Sequence, residues 1–190
     1  MSRLEQRRRP GGRSEDVRRR VASACLALLG EGDVDLGPVE VSRRAGVSRA
    51  TLHRWWPTRA DLLREALAEH TRPLTVPDTG RWAEDVHRFA RTLAAFFADP
   101  VEVGLNVLMA SGRHRHLTTA VLDLYAPIFE DWRAMVARAR DRGEIADGVD
   151  DDAVLLALVS PLVLQPLLFR RTMPTREVRA LADLVVRATT

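Results

Sequence analysis

The sequence predicts an all-α protein. Apolar residues recur at helical spacing along the chain, no segment alternates convincingly with period two between turn signals, and glycine and proline divide the chain into about nine helical segments. Of the 190 residues, 46% are hydrophobic and 29% are charged, a globular rather than disordered composition, and the chain is long enough to bury a substantial core.

The first 13 residues, MSRLEQRRRPGGR, are Arg-rich and aperiodic and predict a flexible arm. Ser14 is the expected N-cap of a helix that places Val17, Val21, Ala24, Cys25 and Leu28 on one face and stops at Gly30 and Gly32. Pro38 opens a short helix with Val41 and Ala45, closed by Gly46. Ser48 caps another short helix that runs to about Trp55 and is ended by Pro57. Thr58 followed by Asp61 approximates a capping box, ahead of Leu62, Leu63, Ala66 and Leu67 on a buried side. Residues 72–80, RPLTVPDTG, have no helical pattern and separate this region from the next.

Trp82, Val86, Phe89, Leu93, Phe96 and Phe97 then form an apolar stripe that stops at Asp99-Pro100. A shorter helix holds Val103, Val107 and Leu108. A long one runs from Leu117 through Tyr125, Phe129, Trp132 and Val136 to Gly143, with Pro127 as a point of bending. Two final helices are expected over roughly 151–171 and 176–188, the second capped by Thr175.

Several classes of function are disfavoured. The longest apolar run, 153–169, contains two prolines and a glutamine, so it reads as a buried helix or an interface and no membrane span is expected. Charge at the N-terminus has no apolar stretch behind it, so no secretory signal is expected and the location should be the cytoplasm. Cys25 is the only cysteine, which excludes an internal disulfide and a cysteine-rich metal site. His114 and His116, spaced i, i+2, do not share a helix face, and no carboxylate pattern completes a metal site around them. No Gly-rich phosphate loop or nucleophile motif appears, so neither catalysis nor a cofactor is expected.

The net charge of +3 hides an asymmetry. Residues 1–72 carry 15 arginines against 10 acids, whereas residues 73–190 carry 14 against 16. A basic bias at one end is the electrostatic footprint of nucleic-acid binding. That end also contains two short helices joined through Ala45-Gly46-Val47-Ser48, a helix-turn-helix pattern. Gly46 suits a turn that requires positive φ, Ala45 permits close approach of the helices, and Val47 and Leu52 anchor the second helix on the first.

Over residues 14–70 the chain resembles the TetR family of transcriptional regulators. The resemblance is carried by Val41, Ser42, AGVS at 45–48, TLH at 51–53, Trp56 and PTRADLL at 57–63, with the flanking helices at the family's spacing. A looser likeness lies in DRGEIADGVDDDA and VSPLVLQPLLF nearer the C-terminus. Ser42 stands where alanine is usual, and His53 where tyrosine is usual.

The resemblance implies an N-terminal three-helix DNA-binding domain (14–58) after the arm (1–13), and a larger helical ligand-binding and dimerisation domain (59–190). Arg49, Ala50 and Thr51 would face base edges in the major groove. His53 and Trp55 would lie by phosphates, although Trp55 could instead pack on a neighbouring helix. Arg59 would draw a phosphate to the first turn of its helix, and the caps Ser48 and Thr58 would also reach the DNA backbone. The arm would add minor-groove or phosphate contacts or remain a solvated tail. Trp56 would close the core.

In the second domain, Leu155, Leu158, Val159, Leu162, Leu168, Val178, Leu181 and Val185 would form an excessive exposed patch on a monomer, so they are expected at a homodimer interface of four helices, two from each chain. Phe96, Phe97, Leu105, Met109, Tyr125, Phe129, Trp132 and Gln165 are expected near a cavity for a small, largely apolar effector, the alternative being that the aromatic stripes are plain core. Gln165, an amide in an apolar run, needs a hydrogen-bond partner. The implied function is a homodimeric regulator, most simply a repressor, that releases a pseudo-palindromic double-stranded operator on binding its ligand. The alternative is a helical small-molecule-binding or enzymatic domain whose helix-turn-helix is only structural.

Overall fold

The computed structural model describes residues 12–190. Over them the chain forms nine helices and no strand: α1 (Gly12–Gly30), α2 (Pro38–Ala45), α3 (Arg49–Trp55), α4 (Arg59–Thr71), α5 (Trp82–Phe97), α6 (Pro100–Ala110), α7 (Arg115–Asp141), α8 (Asp151–Leu168) and α9 (Thr175–Thr189). The arm expected at 1–13 lies outside the described residues except at its end, where Gly12 already begins α1. Ser14 is therefore inside the first turn and not the cap.

Of the other eight starts, four carry a side-chain cap, those of α3, α4, α6 and α8. Asp99 accepts from the Val101 N–H at 2.8 Å and Asp150 from the Ala153 N–H at 2.7 Å, so two of the orphan N–H groups at the starts of α6 and α8 are satisfied. Thr175 is the first helical residue of α9 and not its cap. The N-cap position belongs to Pro174, with no side-chain bond. α7 continues through Pro127 for 27 residues.

α1 packs on α2, α4 and α6, while α5 packs on α8 and α9, so two groups of helices meet through α4, α6 and α7. Gly104 makes one of these meetings possible. A Cβ at this position in α6 would lie 3.3 Å from the Cα of Gly30, at the end of α1. The far end of the molecule is tied by Trp82, whose backbone N–H donates to Glu144 at 2.7 Å and whose indole donates to the Thr189 hydroxyl at 2.8 Å.

α8 corrects one expectation. With 18 residues and a mean hydropathy of 1.6 it is long and apolar enough, by length and composition, to cross a membrane. Neither Pro161 nor Pro166 ends the helix. Its Val154, Leu155, Leu158 and Leu162 are nevertheless buried against the rest of the chain.

Candidate nucleic-acid interface and ligand cavity

The α2–α3 turn is built as its sequence requires. Gly46 adopts φ 63° and ψ 38°, the left-handed conformation that glycine enters without penalty, and the Val47 N–H donates to the Ser42 carbonyl at 3.1 Å. Arg20 reaches over from α1 and donates to the carbonyls of Ala45 and Gly46 at 3.1 and 3.3 Å. A cation thus caps the negative end of α2. Beneath the turn, Val41, Ala45, Leu52 and Trp56 are all buried, and the Trp56 indole donates to Glu65 on α4 at 3.0 Å. The hydroxyl of Ser42 is buried with no hydrogen-bond partner among the described residues.

Ser48 caps α3 by accepting from the Thr51 N–H at 3.1 Å, and its hydroxyl lies 2.9 Å from that of Thr51. Leu52 turns inward. Arg49, Ala50, His53 and Arg54 are exposed, and Thr51 is half-buried. Arg49 and Arg54 make no ion pair among the described residues, so both guanidiniums are available to an anion. Arg54 was not singled out from the sequence, although its place one turn beyond Ala50 marks it.

Arg43 and Arg44 differ, being spent on their own chain. Glu40 bonds both, and Arg44 also bonds Glu31 of the α1–α2 junction. Hydrogen bonds from Arg43 and then Arg44 hold the Glu40 carboxyl down at about 2. Arg59 pairs with Asp35 at 3.2 Å, but both groups are largely in water, where such a pair contributes little and a phosphate can compete.

Thr58 and Asp61 form the full capping box: each side chain accepts from the other's backbone N–H, at 3.1 and 3.2 Å, and the Thr58 hydroxyl donates to Asp61 at 2.6 Å. The Thr58 hydroxyl and then Arg64 keep the Asp61 carboxyl below its ordinary range. Trp55 is half-buried, with its ring 5.6 Å from that of Trp56, and it borders a surface recess shared with Ser14, Glu15 and Arg18 of α1. The two adjacent tryptophans therefore occupy different surroundings, one in the core and one beside the first turns of α1.

A cavity of about 180 Å³ lies among α5, α6, α7 and α8. Six residues expected near it line it: Phe96, Phe97, Met109, Tyr125, Phe129 and Trp132. Two do not. On α6 the row Glu102, Asn106, Met109 faces the cavity and leaves Leu105 on the flank, fully buried. On α8 the row is Leu155, Val159, Val163, and Gln165, two residues further on, is turned about 200° away from Val163. The side-chain oxygen of Gln165, Oε1, is buried with no partner among the described residues.

The cavity's polar pole was not anticipated. Glu102 is fully buried; its Oε2 accepts from the Tyr125 hydroxyl at 2.6 Å and lies 3.1 Å from His70 Nε2, while its Oε1 accepts from Asn106 Nδ2 at 2.9 Å. Burial, reinforced by the neighbouring carboxylate, pushes the Tyr125 phenol well above its ordinary value. The sequence signal was present, since Glu102 and Asn106 stand four apart in the otherwise apolar PVEVGLNVLMA.

The residues expected at a dimer interface need correction. Leu158, Leu162, Val178 and Val185 are buried in the chain's own core, because α8 and α9 pack on α5 and on each other. Leu155 and Val159 line the cavity, and Leu181 is half-buried. Leu168 is exposed as expected, and with it Leu156, Phe169 and Leu184, each more than half exposed. His114 precedes α7 and His116 lies exposed in its first turn. Among the described residues no group of three or more His, Cys, Asp or Glu side chains is placed to hold a metal ion.

The family model described as the tetracyclin repressor-like C-terminal domain matches residues 76–185. The HTH-type transcriptional regulator AqdR of Rhodococcus erythropolis is 30% identical over 149 residues, covering 77% of this chain and 72% of that one. The HTH-type transcriptional regulator YdeS of Bacillus subtilis is 27% identical over 164 residues, 83% of this chain and 81% of that one. Among solved structures, that of a TetR family transcription regulator, SCO0332, superposes with a TM-score of 0.69 at 25% identity, covering 92% of this chain and 99% of the other.

Proposed function

Because the chain belongs to the TetR family of transcriptional regulators, DNA-binding proteins and not enzymes, we propose that it is a cytoplasmic repressor released from its operator by a small, largely apolar ligand. The observation that carries this reading is the bond between Glu102 in the cavity wall and His70 on α4, the helix that follows the helix-turn-helix and packs on α1. A ligand that disturbs the cavity has a direct mechanical route to the DNA-binding unit. It acts only if it binds the DNA-incompetent arrangement more tightly than the competent one.

In this reading residues 14–58 bind DNA and residues 59–190 bind ligand and dimerise. Two chains pair through the outer faces of α8 and α9, where Leu156, Leu168, Phe169 and Leu184 find cover, so α8 is a bundle helix and not a membrane span. The two α3 helices then enter successive major grooves about 34–36 Å apart on a pseudo-palindrome. Arg49, Ala50 and Thr51 face bases; Ser48, His53, Trp55, Thr58 and Arg59 lie along phosphates. The open surroundings of Arg49 and Ala50 support the first assignment, and the weak Asp35 pairing of Arg59 supports the second.

The division of labour is testable. Arg49→Ala should relax specificity at one base position, at a cost of about 1–3 kcal/mol for the preferred base. Arg59→Ala should weaken all sequences alike and lower the salt slope by about one. Identical effects of the two substitutions in a binding series across salt and sequence would remove the distinction.

Release is tested by titrating the protein–duplex complex with a molecule shown by calorimetry to enter the cavity. Dissociation of the DNA is expected. A molecule that binds and leaves DNA affinity unchanged would refute ligand-induced release. Light scattering should give twice the chain's mass, and a monomer at micromolar concentration would contradict the pairing.

A further inference from the structure

The walls of the cavity carry four side chains with polar atoms, Glu102, Asn106, Tyr125 and Trp132, and no cationic one. Glu102 is the only acid among them. Its carboxyl collects donors from three helices: His70 from α4, Asn106 from its own helix, Tyr125 from α7. A carboxylate offers about four acceptor sites. Oε2 is shared by Tyr125 and His70, whereas Oε1 meets Asn106 alone among the described residues, and Glu102 lines an otherwise apolar space.

We propose that this cavity takes a compact apolar molecule headed by an amine, which donates to the Glu102 carboxylate, and that it rejects a carboxylate-headed molecule of the same shape. The proposal rests on the reading of the cavity as the effector site and specifies what that site recognises. Two physical reasons support the sign. A second carboxylate placed beside Glu102 would be a like charge in a space walled by hydrocarbon, with no arginine in the lining to neutralise it. The Asn106 and Tyr125 donors could serve an incoming anion only by leaving the buried Glu102 short of partners. The indole N–H of Trp132, which has no partner among the described residues, can donate to a carboxylate, but one neutral donor does not cancel the like charge of Glu102 and the desolvation of a second anion.

Size limits the body of the molecule. A cavity of about 180 Å³ is on the scale of an engineered cavity of about 150 Å³ that admits benzene, so one ring with a short substituent fits. An amine that reaches Oε2 instead of Oε1 competes with His70, the one partner of Glu102 that belongs to α4.

The test compares propylbenzene, 3-phenylpropylamine and 3-phenylpropanoate by calorimetry on the full chain near neutral pH. Propylbenzene should bind, which establishes that the cavity is accessible, and the amine should bind about tenfold or more tighter than the propanoate. Glu102→Gln should abolish the amine's advantage while leaving propylbenzene binding in place. Tyr125→Phe, which removes one donor from Glu102 and keeps the ring, should increase that advantage, and it serves equally well should Glu102→Gln fail to fold. Propanoate binding as tightly as the amine, or an amine-to-propanoate ratio unmoved by the variant, would overturn the head-group assignment alone. Silence from all three probes would overturn the effector-site reading beneath it.

Discussion

Leu52→Ala is expected to destabilise the protein by about 2–5 kcal/mol and to remove most sequence-specific DNA binding with it. Leu52 is 1% exposed and is the one fully buried side chain of the seven-residue α3. A helix this short is not stable by itself in water, so its orientation depends on that anchor, on the Ser48 cap and on the Gly46 turn. Removing the anchor leaves a void between α3 and the helices beneath it, and the exposed side chains of Arg49 and Ala50 lose their fixed direction. The loss should appear as a lower urea midpoint with an unchanged slope, accompanied by a collapse of the difference between specific and random duplexes. His53→Ala supplies the contrast. It removes an exposed side chain on the same helix and should change stability by less than about 0.5 kcal/mol. Equal stability losses from the two would show that α3 is not held as described.

Trp132→Ala should cost about 3–5 kcal/mol, among the larger stability losses from a single side chain in the second domain. Trp132 is completely buried, stacks at a tilt on Phe89 with centroids 4.8 Å apart, and forms part of the cavity wall. Truncation joins the volume of the indole to an existing space, so collapse of the surroundings cannot readily refill it. The same enlargement should admit a bulkier apolar probe, and a bound probe should recover part of the lost stability in proportion to its concentration. A loss below about 1 kcal/mol, or a variant that accepts no larger probe than the parent, would indicate that the indole does not form the wall.

The local code of the N-terminal region was legible because its signals are short-range. Gly46 at the turn, Ser48 at the cap and the Thr58–Asp61 box each act within four residues, and each is found in the role its spacing implies. The aromatic part of the cavity was legible for a related reason, since the stripes of α5 and α7 must face something apolar. What the sequence could not convey was the rotation of α8 about its own axis. That helix is apolar nearly all round, so periodicity does not say which row meets α5, which meets the cavity and which meets solvent. An outward place for Leu158 and Leu162 therefore fits the pattern as well as the observed one, in which both lie in the core and Leu156 and Phe169 lie outside.

The polar pole was missed for a different reason. His70 and Glu102 are separated by 32 residues, and nothing in either local pattern announces that a histidine at the end of α4 will meet an acid on α6. Only the packing of the two groups of helices brings them together. Gln165 was the more conspicuous polar residue in an apolar run, yet its helical phase turns it from the cavity. A polar residue among hydrophobes marks a place that needs a partner, and the fold alone decides whether the partner is a ligand.

The most direct test of operator recognition by paired α3 helices is selection of binding sites from a pool of random duplexes by the purified protein at moderate salt. An inverted repeat should be enriched, with half-site centres about one helical turn apart, and Arg49→Ala should lose preference at a symmetric pair of positions within it. Recovery of no palindrome, with binding that depends on salt and not on sequence, would contradict it.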